Sequence, residues 1–121
     1  MDPANQDAVR DSNCIFCKIV DGQIPSNKVS EDETSIAIRD VNPQAPTHIL
    51  ILPKNHVANI TKVKEAELLG SLFKKVGEIA ATEKLTDGFR VVVNTGLHGG
   101  QTVDHLHIHV LGGRELTWPP G

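Results

Sequence analysis

One short segment near the end of the chain alternates histidine with aliphatic residues. Residues 105–110 read His-Leu-His-Ile-His-Val and hold three of the six histidines in the chain. Successive side chains of an extended strand point to opposite faces, so the three imidazoles are predicted to share one face and the aliphatic side chains the other. The pattern predicts a half-buried strand over residues 103–111 that presents a row of groups titrating near neutral pH.

The rest of the chain predicts a mixed fold around that strand. Apolar residues recur at three- and four-residue steps over residues 65–84, which predicts one long helix. A short helix is predicted over residues 14–21, ended by Gly22. Further strands are predicted over residues 28–30, 35–39, 48–52 and 89–93. We therefore expect an α+β fold with a five-stranded antiparallel sheet, the long helix on one face and the histidines on the other.

Length and charge narrow the class of protein. A chain of 121 residues suits a single domain, expected over residues 13–121, with residues 1–12 as a flexible N-terminal lead-in. The net charge of −3 argues against a general nucleic-acid binder. No apolar run approaches a membrane span, and the polar N-terminus lacks the apolar core of a signal peptide. A cytoplasmic protein with no nucleic-acid or membrane partner is expected.

A glycine-rich loop directly precedes the histidine row. Residues 99–102 read Gly-Gly-Gln-Thr, and glycines let backbone N–H groups approach an anion closely. Taken alone such a segment is most often a hairpin loop, but here a phosphate held by it would lie beside imidazoles. The combination indicates phosphoryl or nucleotidyl transfer through a phospho-histidine intermediate.

The two cysteines, Cys14 and Cys17, form a C-x-x-C pair. In a reducing compartment this spacing favours metal binding or redox chemistry over a structural disulfide. The alternative is a pair of free buried thiols.

Taken together, these segments resemble the histidine triad superfamily. Its signature alternates three histidines with apolar residues, and residues 105–111 match it throughout. The resemblance extends to residues 40–48 (Asp-Val-Asn-Pro-Gln-Ala-Pro-Thr-His), 92–94 (Val-Val-Asn), 99–103 (Gly-Gly-Gln-Thr-Val) and 111–114 (Leu-Gly-Gly-Arg). The ending Trp-Pro-Pro-Gly, residues 118–121, is similar to the Hint branch in particular.

The resemblance implies a reaction and a set of catalytic residues. Members of the branch are homodimers with a continuous ten-stranded sheet that bind purine nucleoside monophosphates and hydrolyse nucleoside phosphoramidates, without an organic cofactor. By this resemblance His107 is the nucleophile, His109 donates to a phosphate oxygen, and Thr102 contacts the phosphate or helps to protonate the leaving amine. A dinucleoside polyphosphate hydrolase and a nucleotide-sensing or scaffold protein remain the alternatives.

The same resemblance implies a nucleotide-binding site. The base is expected in an apolar slot of Phe16, Ile19, Ile24 and Leu50. The alternative is that these are plain core residues, and Leu50 fits either role equally. The ribose and phosphate are expected against Asp40, Val41, Asn94, Gly100, Gln101, Thr102, His107 and His109.

Related triad proteins with a C-x-x-C pair bind structural zinc. Matched residue by residue, the ligands implied here are Cys14, Cys17, His48 and His105. A Cys2His2 set is a favoured tetrahedral zinc site. The alternative leaves both thiols free, with His48 and His105 hydrogen-bonded to each other. His56 and His98 are expected on the surface or in loops.

Overall fold

The computed structural model describes residues 8–121. Two α-helices, one 3-10 turn and five strands follow one another along the chain. In chain order they are α1 (Ile15–Val20), β1 (Lys28–Glu31), β2 (Ser35–Arg39), β3 (Thr47–Pro53), the 3-10 turn (Ile60–Lys62), α2 (Ala66–Thr82), β4 (Phe89–Val92) and β5 (Ile108–Gly112). The predicted α+β class, the long helix and the short N-terminal helix are confirmed.

The five strands form one antiparallel sheet in the order β1-β2-β3-β5-β4. The central pair is β3 and β5, in which Leu50 lies opposite His109 and Ile51 opposite Ile108. Since paired residues of an antiparallel ladder point to the same face, Leu50 and His109 share one face and the two isoleucines share the other.

Helix α2 covers one face of the sheet. Its buried residues Leu72, Val76 and Ile79 pack against alternate residues of β3 and β5. The strand residues in this cluster include Ile49, Ile51, Ile108 and Val110, together with Leu106, which precedes β5. The aliphatic half of the histidine segment therefore belongs to the main hydrophobic core, as the alternation predicts.

The opposite face is covered by α1. Its buried residues Phe16, Cys17 and Ile19 join Leu50 and Leu52 of β3 in a second apolar cluster. This is the face to which the histidines of the triad segment belong, so α1 determines what surrounds them.

The histidine strand is shorter than predicted. Regular pairing begins at Ile108 rather than at residue 103, so only His109 of the three histidines lies within β5. Upstream, the backbone bonds elsewhere, because the N–H of Leu106 donates to the carbonyl of Val57 at 2.7 Å. The side-chain alternation is retained even though the ladder is not.

Part of the predicted lead-in makes specific contacts. The N–H of Val9 donates to Oδ1 of Asn55 at 2.9 Å, and the carbonyl of Val9 accepts from the N–H of His56 at 2.8 Å. Arg10 donates to both carboxylate oxygens of Asp21, at 3.0 and 3.2 Å. These contacts extend the folded unit to residue 9, while residues 1–7 of the predicted lead-in lie outside the described residues. Within residues 8–121, no helix has the length and apolar content needed to cross a membrane.

Candidate active site and metal cluster

The middle histidine of the triad segment is held by the backbone. Nδ1 of His107 lies 2.7 Å from the carbonyl oxygen of His105. Because a carbonyl can only accept, Nδ1 carries a proton, so the neutral form of the ring has its lone pair on Nε2. The side chain is also largely buried, with 6% of its surface exposed. The backbone contact therefore fixes the orientation of the His107 ring.

The third histidine belongs to a chain of hydrogen bonds that fixes its tautomer. The backbone N–H of Gln44 donates to Nδ1 of His48 at 3.0 Å, so the proton of His48 is on Nε2. That Nε2 lies 2.9 Å from Nδ1 of His109, which accepts. Nε2 of His109 then carries the remaining proton.

That last N–H has no protein acceptor. Nε2 of His109 is buried and is the one buried side-chain nitrogen or oxygen within residues 8–121 that lacks a hydrogen-bond partner. A buried, unpaired donor costs roughly 1–3 kcal/mol. A ligand oxygen placed there would remove that cost, so the structure presents His109 as a donor next to His107, with ring centroids 5.0 Å apart.

Burial keeps these imidazoles uncharged at neutral pH. It lowers the pKa of His109 to about 4, with further lowering from neighbouring His107 and His48. Burial also lowers the pKa of His48, against an opposing effect of Asp40, whose Oδ2 lies 3.4 Å from Nε2 of His48. Asp40, His48 and His109 lie close enough together to suggest a metal site. However, the Gln44 bond leaves His48 with a proton, not a lone pair, at the nitrogen facing the group, so hydrogen bonding accounts for it.

A second cluster lies at the other end of the triad segment. One ligand atom from each of Cys14, Cys17, His56 and His105 lies within 4.8 Å of all the others. Sγ of Cys14 is 3.3 Å from Nδ1 of His105, and Sγ of Cys17 is 3.6 Å from the same nitrogen. Sγ of Cys17 is 3.4 Å from Nδ1 of His56. Four side chains from three separate parts of the chain therefore converge on a group that can hold a metal ion.

Hydrogen bonding and burial leave lone pairs in this cluster that favour a bound cation. Nε2 of His105 donates to the carbonyl of Pro53 at 2.8 Å, which leaves Nδ1 with its lone pair towards the sulfurs. Burial lowers the pKa of His105 to about 4, so the ring is neutral. Burial raises the pKa of the Cys17 thiol, an effect that a bound dication reverses.

The structure corrects one predicted ligand. His48 does not reach the cysteines, because its ring is committed to Gln44 and His109 at the far end of the β3–β5 pair. His56, which was expected on the surface or in a loop, takes that place in the cluster. The alternative with free thiols required a hydrogen bond between His48 and His105. That bond is absent, because Nε2 of His105 donates to the carbonyl of Pro53. His98 is exposed in the glycine-rich loop, as expected.

The predicted base-slot residues come together. Phe16, Ile19 and Leu50 are buried in the cluster beneath α1, and Ile24 packs against it. The ring of Phe16 also meets His107 edge-on, at a centroid distance of 5.0 Å. Phe16 therefore connects the predicted base slot to His107.

The predicted ribose-binding residues differ in their placement. Asp40 is half-buried just after β2, and its Oδ1 accepts from the N–H of Asn42. Asn94 is half-buried after β4. The next residue after Asp40, Val41, is fully exposed and packs against nothing within the described chain.

In the structure the glycine-rich loop extends over residues 95–102, and its backbone hydrogen bonds are mainly internal. The N–H of Gly100 donates to the carbonyl of Leu97, and the N–H of Gln101 donates to that of Gly96, both at 3.1 Å. The side chain of Gln101 is fully engaged with backbone groups as well. The backbone N–H groups of Gly100 and Gln101 and the Gln101 amide are therefore all hydrogen-bonded within the protein. Thr102 is exposed, and within residues 8–121 its hydroxyl makes no hydrogen bond.

Comparison with known proteins agrees with this fold. The HIT domain model matches residues 21–116. A 14 kDa zinc-binding protein of Zea mays is 50% identical over 115 residues, covering 92% of this chain and 90% of the relative. The crystal structure of a HIT family hydrolase from Legionella pneumophila superposes with a TM-score of 0.88 at 49% identity, over 90% of this chain and 100% of that one. A histidine triad nucleotide-binding protein from Candida albicans gives a TM-score of 0.78 at 32% identity, over 88% and 83% of the two chains.

The chain belongs to the HIT domain family. The family predicted from the alternating histidines is thereby confirmed.

Proposed function

We propose that this protein hydrolyses the phosphorus–nitrogen bond of purine nucleoside 5'-phosphoramidates, with His107 as the nucleophile. The observation that carries the proposal is the 2.7 Å contact of His107 Nδ1 with the carbonyl of His105, which puts the lone pair of the neutral ring on Nε2. The names of two structural neighbours, a hydrolase and a nucleotide-binding protein, agree with this assignment.

The first step forms a nucleotidyl-histidine. Nε2 of His107 attacks the α-phosphorus, and the electron pair of the P–N bond leaves with the amine nitrogen, which takes up a proton from solvent. The modified imidazole becomes positively charged, and its Nδ1–H remains bonded to the carbonyl of His105, which stabilises that charge. The unpaired Nε2–H of His109 donates to a non-bridging oxygen of the phosphate.

The second step releases the nucleotide. Water attacks the phosphorus, the P–N bond to His107 breaks, and its electron pair returns to Nε2. The proton lost by water leaves to solvent. Thr102, with an exposed hydroxyl beside the glycine-rich loop, is the proposed donor to the phosphate or to the leaving amine.

Zinc is the proposed occupant of the cysteine–histidine cluster. Tetrahedral zinc, with bonds of about 2.3 Å to sulfur and about 2.0–2.1 Å to nitrogen, separates a sulfur from a nitrogen ligand by about 3.6 Å. The three sulfur–nitrogen distances of 3.3, 3.4 and 3.6 Å fit this geometry. Cys14, Cys17, His56 and His105 would fill all four positions, so the ion would organise structure and leave no site for substrate.

A second copy of the chain is the proposed partner. Strand β4 is last in the sheet order, and within residues 8–121 its outer side is unpaired. Phe89 on this strand is 42% exposed. On α2, Phe73 is 41% exposed between Gly70 and Gly77, whose Cβ positions face open space. These apolar and small residues suit a packed helix and sheet edge.

The decisive experiment compares two substrates. Steady-state rates are measured on an adenosine 5'-phosphoramidate of a primary amine and on a diadenosine polyphosphate, with His107→Ala as the inactive control. We expect turnover of the phosphoramidate to dominate and to fall by at least about 10³-fold in the variant. Preference for the polyphosphate would favour a dinucleoside polyphosphate hydrolase. Nucleotide binding with no turnover of either substrate would favour a sensing or scaffold role.

A further inference from the structure

The side chain of Gln101 makes three hydrogen bonds to the backbone. Its Nε2 donates to the carbonyl of Ala58 at 2.7 Å and to the carbonyl of Val103 at 3.0 Å. Its Oε1 accepts from the N–H of Gly96 at 3.0 Å. An amide group has two N–H donors, and both are used here.

The contact with Ala58 connects the glycine-rich loop to a segment with two other roles. Residues 56–58 place His56 in the metal cluster, and the carbonyl of Val57 accepts from the N–H of Leu106, next to His107. His56 therefore belongs to the metal cluster, Val57 bonds to the triad segment, and Ala58 bonds to the glycine-rich loop. We call residues 56–58 the bridging segment.

The loop needs such a restraint. Gly96 and Gly100 both have positive φ, at 72° and 80°, in a segment with few other side chains to anchor it. Glycine-rich backbone is costly to order, and catalysis needs groups held close to their reactive geometry. Gln101 fixes both ends of the loop, at Gly96 and at Val103, to one point on the bridging segment.

We propose that Gln101 is a positioning residue that fastens the glycine-rich loop to the bridging segment, and that it is not a ligand of the phosphate. Its loss frees the loop, and with it Thr102, in the protein without substrate. Because the bridging segment carries His56, loss of the metal also loosens the loop. The catalytic consequence rests on the proposed function, but the structural consequence does not.

The test is amide hydrogen exchange of the unliganded, metal-loaded protein. Gln101→Met keeps the size of the side chain and removes all three hydrogen bonds. We expect exchange of the Gly96 amide to rise by about tenfold or more, while the amide of Ile51 in β3 keeps its protection. Gln23→Glu is the control, because Gln23 is exposed and its side chain makes no hydrogen bond within residues 8–121.

Gln101→Glu is the second variant, in case the first does not fold. It keeps the acceptor for Gly96 but sets a carboxylate against the carbonyls of Ala58 and Val103. We expect the amide of residue 101 itself, which closes the loop onto Gly96, to exchange faster. Chelation of the metal from the wild-type protein is expected to raise exchange in the same loop.

Kinetics separate the two roles of Gln101. If Gln101 is a positioning residue, its variants lose about tenfold in kcat for the phosphoramidate and also show faster amide exchange in the loop. Unchanged exchange in both unliganded variants, combined with weaker AMP binding, would make Gln101 a substrate ligand and overturn the proposal. If no phosphoramidate is hydrolysed at all, the proposed function fails while the exchange result still decides this inference.

Discussion

Nε2 of His48 lies 2.9 Å from Nδ1 of His109, so a residue of β3 sets the proton position on a residue of β5. The backbone N–H of Gln44 begins this chain of bonds, and it ends in the unpaired N–H of His109. The direction of every donor follows from one backbone group, which can only donate. His48 therefore sets the tautomer of His109 in the candidate active site.

Replacing His48 tests this relationship. His48→Leu removes the donor to His109 Nδ1, so the proton of His109 is no longer fixed on Nε2. We expect kcat/KM for an adenosine phosphoramidate to fall about 10–100-fold. His48→Gln keeps an amide donor and should recover part of the loss. Nitrogen NMR shifts of His109 report the tautomer directly, and full activity in His48→Leu with an unchanged tautomer would contradict the prediction.

The buried His109 should make stability depend on pH. Its pKa is about 4 in the folded protein and about 6.5 when unfolded, so between these values the unfolded chain binds more protons. The contribution of His109 to the free energy of unfolding is therefore fully present above about pH 6.5 and is lost as the pH falls towards 4. His109→Gln removes this group, and we expect its free energy of unfolding to fall less over the same range, by on the order of 1–3 kcal/mol. Parallel urea titrations at pH 7.0 and 4.5 measure the difference, and equal losses would contradict it.

Metal analysis distinguishes the ligand set of the structure from that of the sequence. We expect about one zinc per chain in the wild-type protein and in His48→Gln, and less than about one-tenth of that in His56→Ala or Cys17→Ser. Removing the metal with a chelator should lower the thermal midpoint of the wild-type protein. Full zinc content in His56→Ala, or its loss in His48→Gln, would restore the ligand set predicted from sequence.

The sequence predicted which helices and strands form, but it predicted neither the strand register nor the start of β5. Alternation over residues 105–110 correctly assigned Leu106, Ile108 and Val110 to the core, because period-two patterning depends only on the local backbone. The fourth metal ligand depends on pairing between distant strands. In the observed register His48 lies opposite Leu111, which sets it beside His109 and far from residue 105. The end of β3, followed by His56, approaches residue 105 instead.

The hydrogen bonds of Gln101 were also not predictable from the sequence. A glutamine beside two glycines is equally consistent with a phosphate ligand and with a loop anchor. What decides is the position of the carbonyls of Ala58 and Val103, which are set by tertiary structure. Likewise, the start of β5 was misplaced because Leu106 pairs with Val57, a residue in a loop with no strand signal.

The last prediction concerns Phe16, whose ring contacts both His107 of the candidate active site and His105 of the metal cluster. Its ring lies edge-on to the rings of His107 and His105, at centroid distances of 5.0 and 5.8 Å. In the sequence Phe16 stands between Cys14 and Cys17 of the metal cluster. Such aromatic contacts contribute about 0.5–1.5 kcal/mol beyond the area that they bury. We therefore expect Phe16→Leu to lower kcat by about 2–10-fold by releasing the His107 ring.

An abasic substrate separates this effect from base binding. A phosphoramidate of ribose 5-phosphate has no base to enter the slot, so a residue that only binds the base cannot affect its turnover. Ile19→Val is the control, since Ile19 lines the same apolar cluster without a ring contact to His107. We expect Phe16→Leu to slow both substrates and Ile19→Val to raise KM only for the substrate with a base. If Phe16→Leu leaves kcat on the abasic substrate unchanged, Phe16 belongs to the base slot alone, and the orientation of His107 depends on the carbonyl of His105.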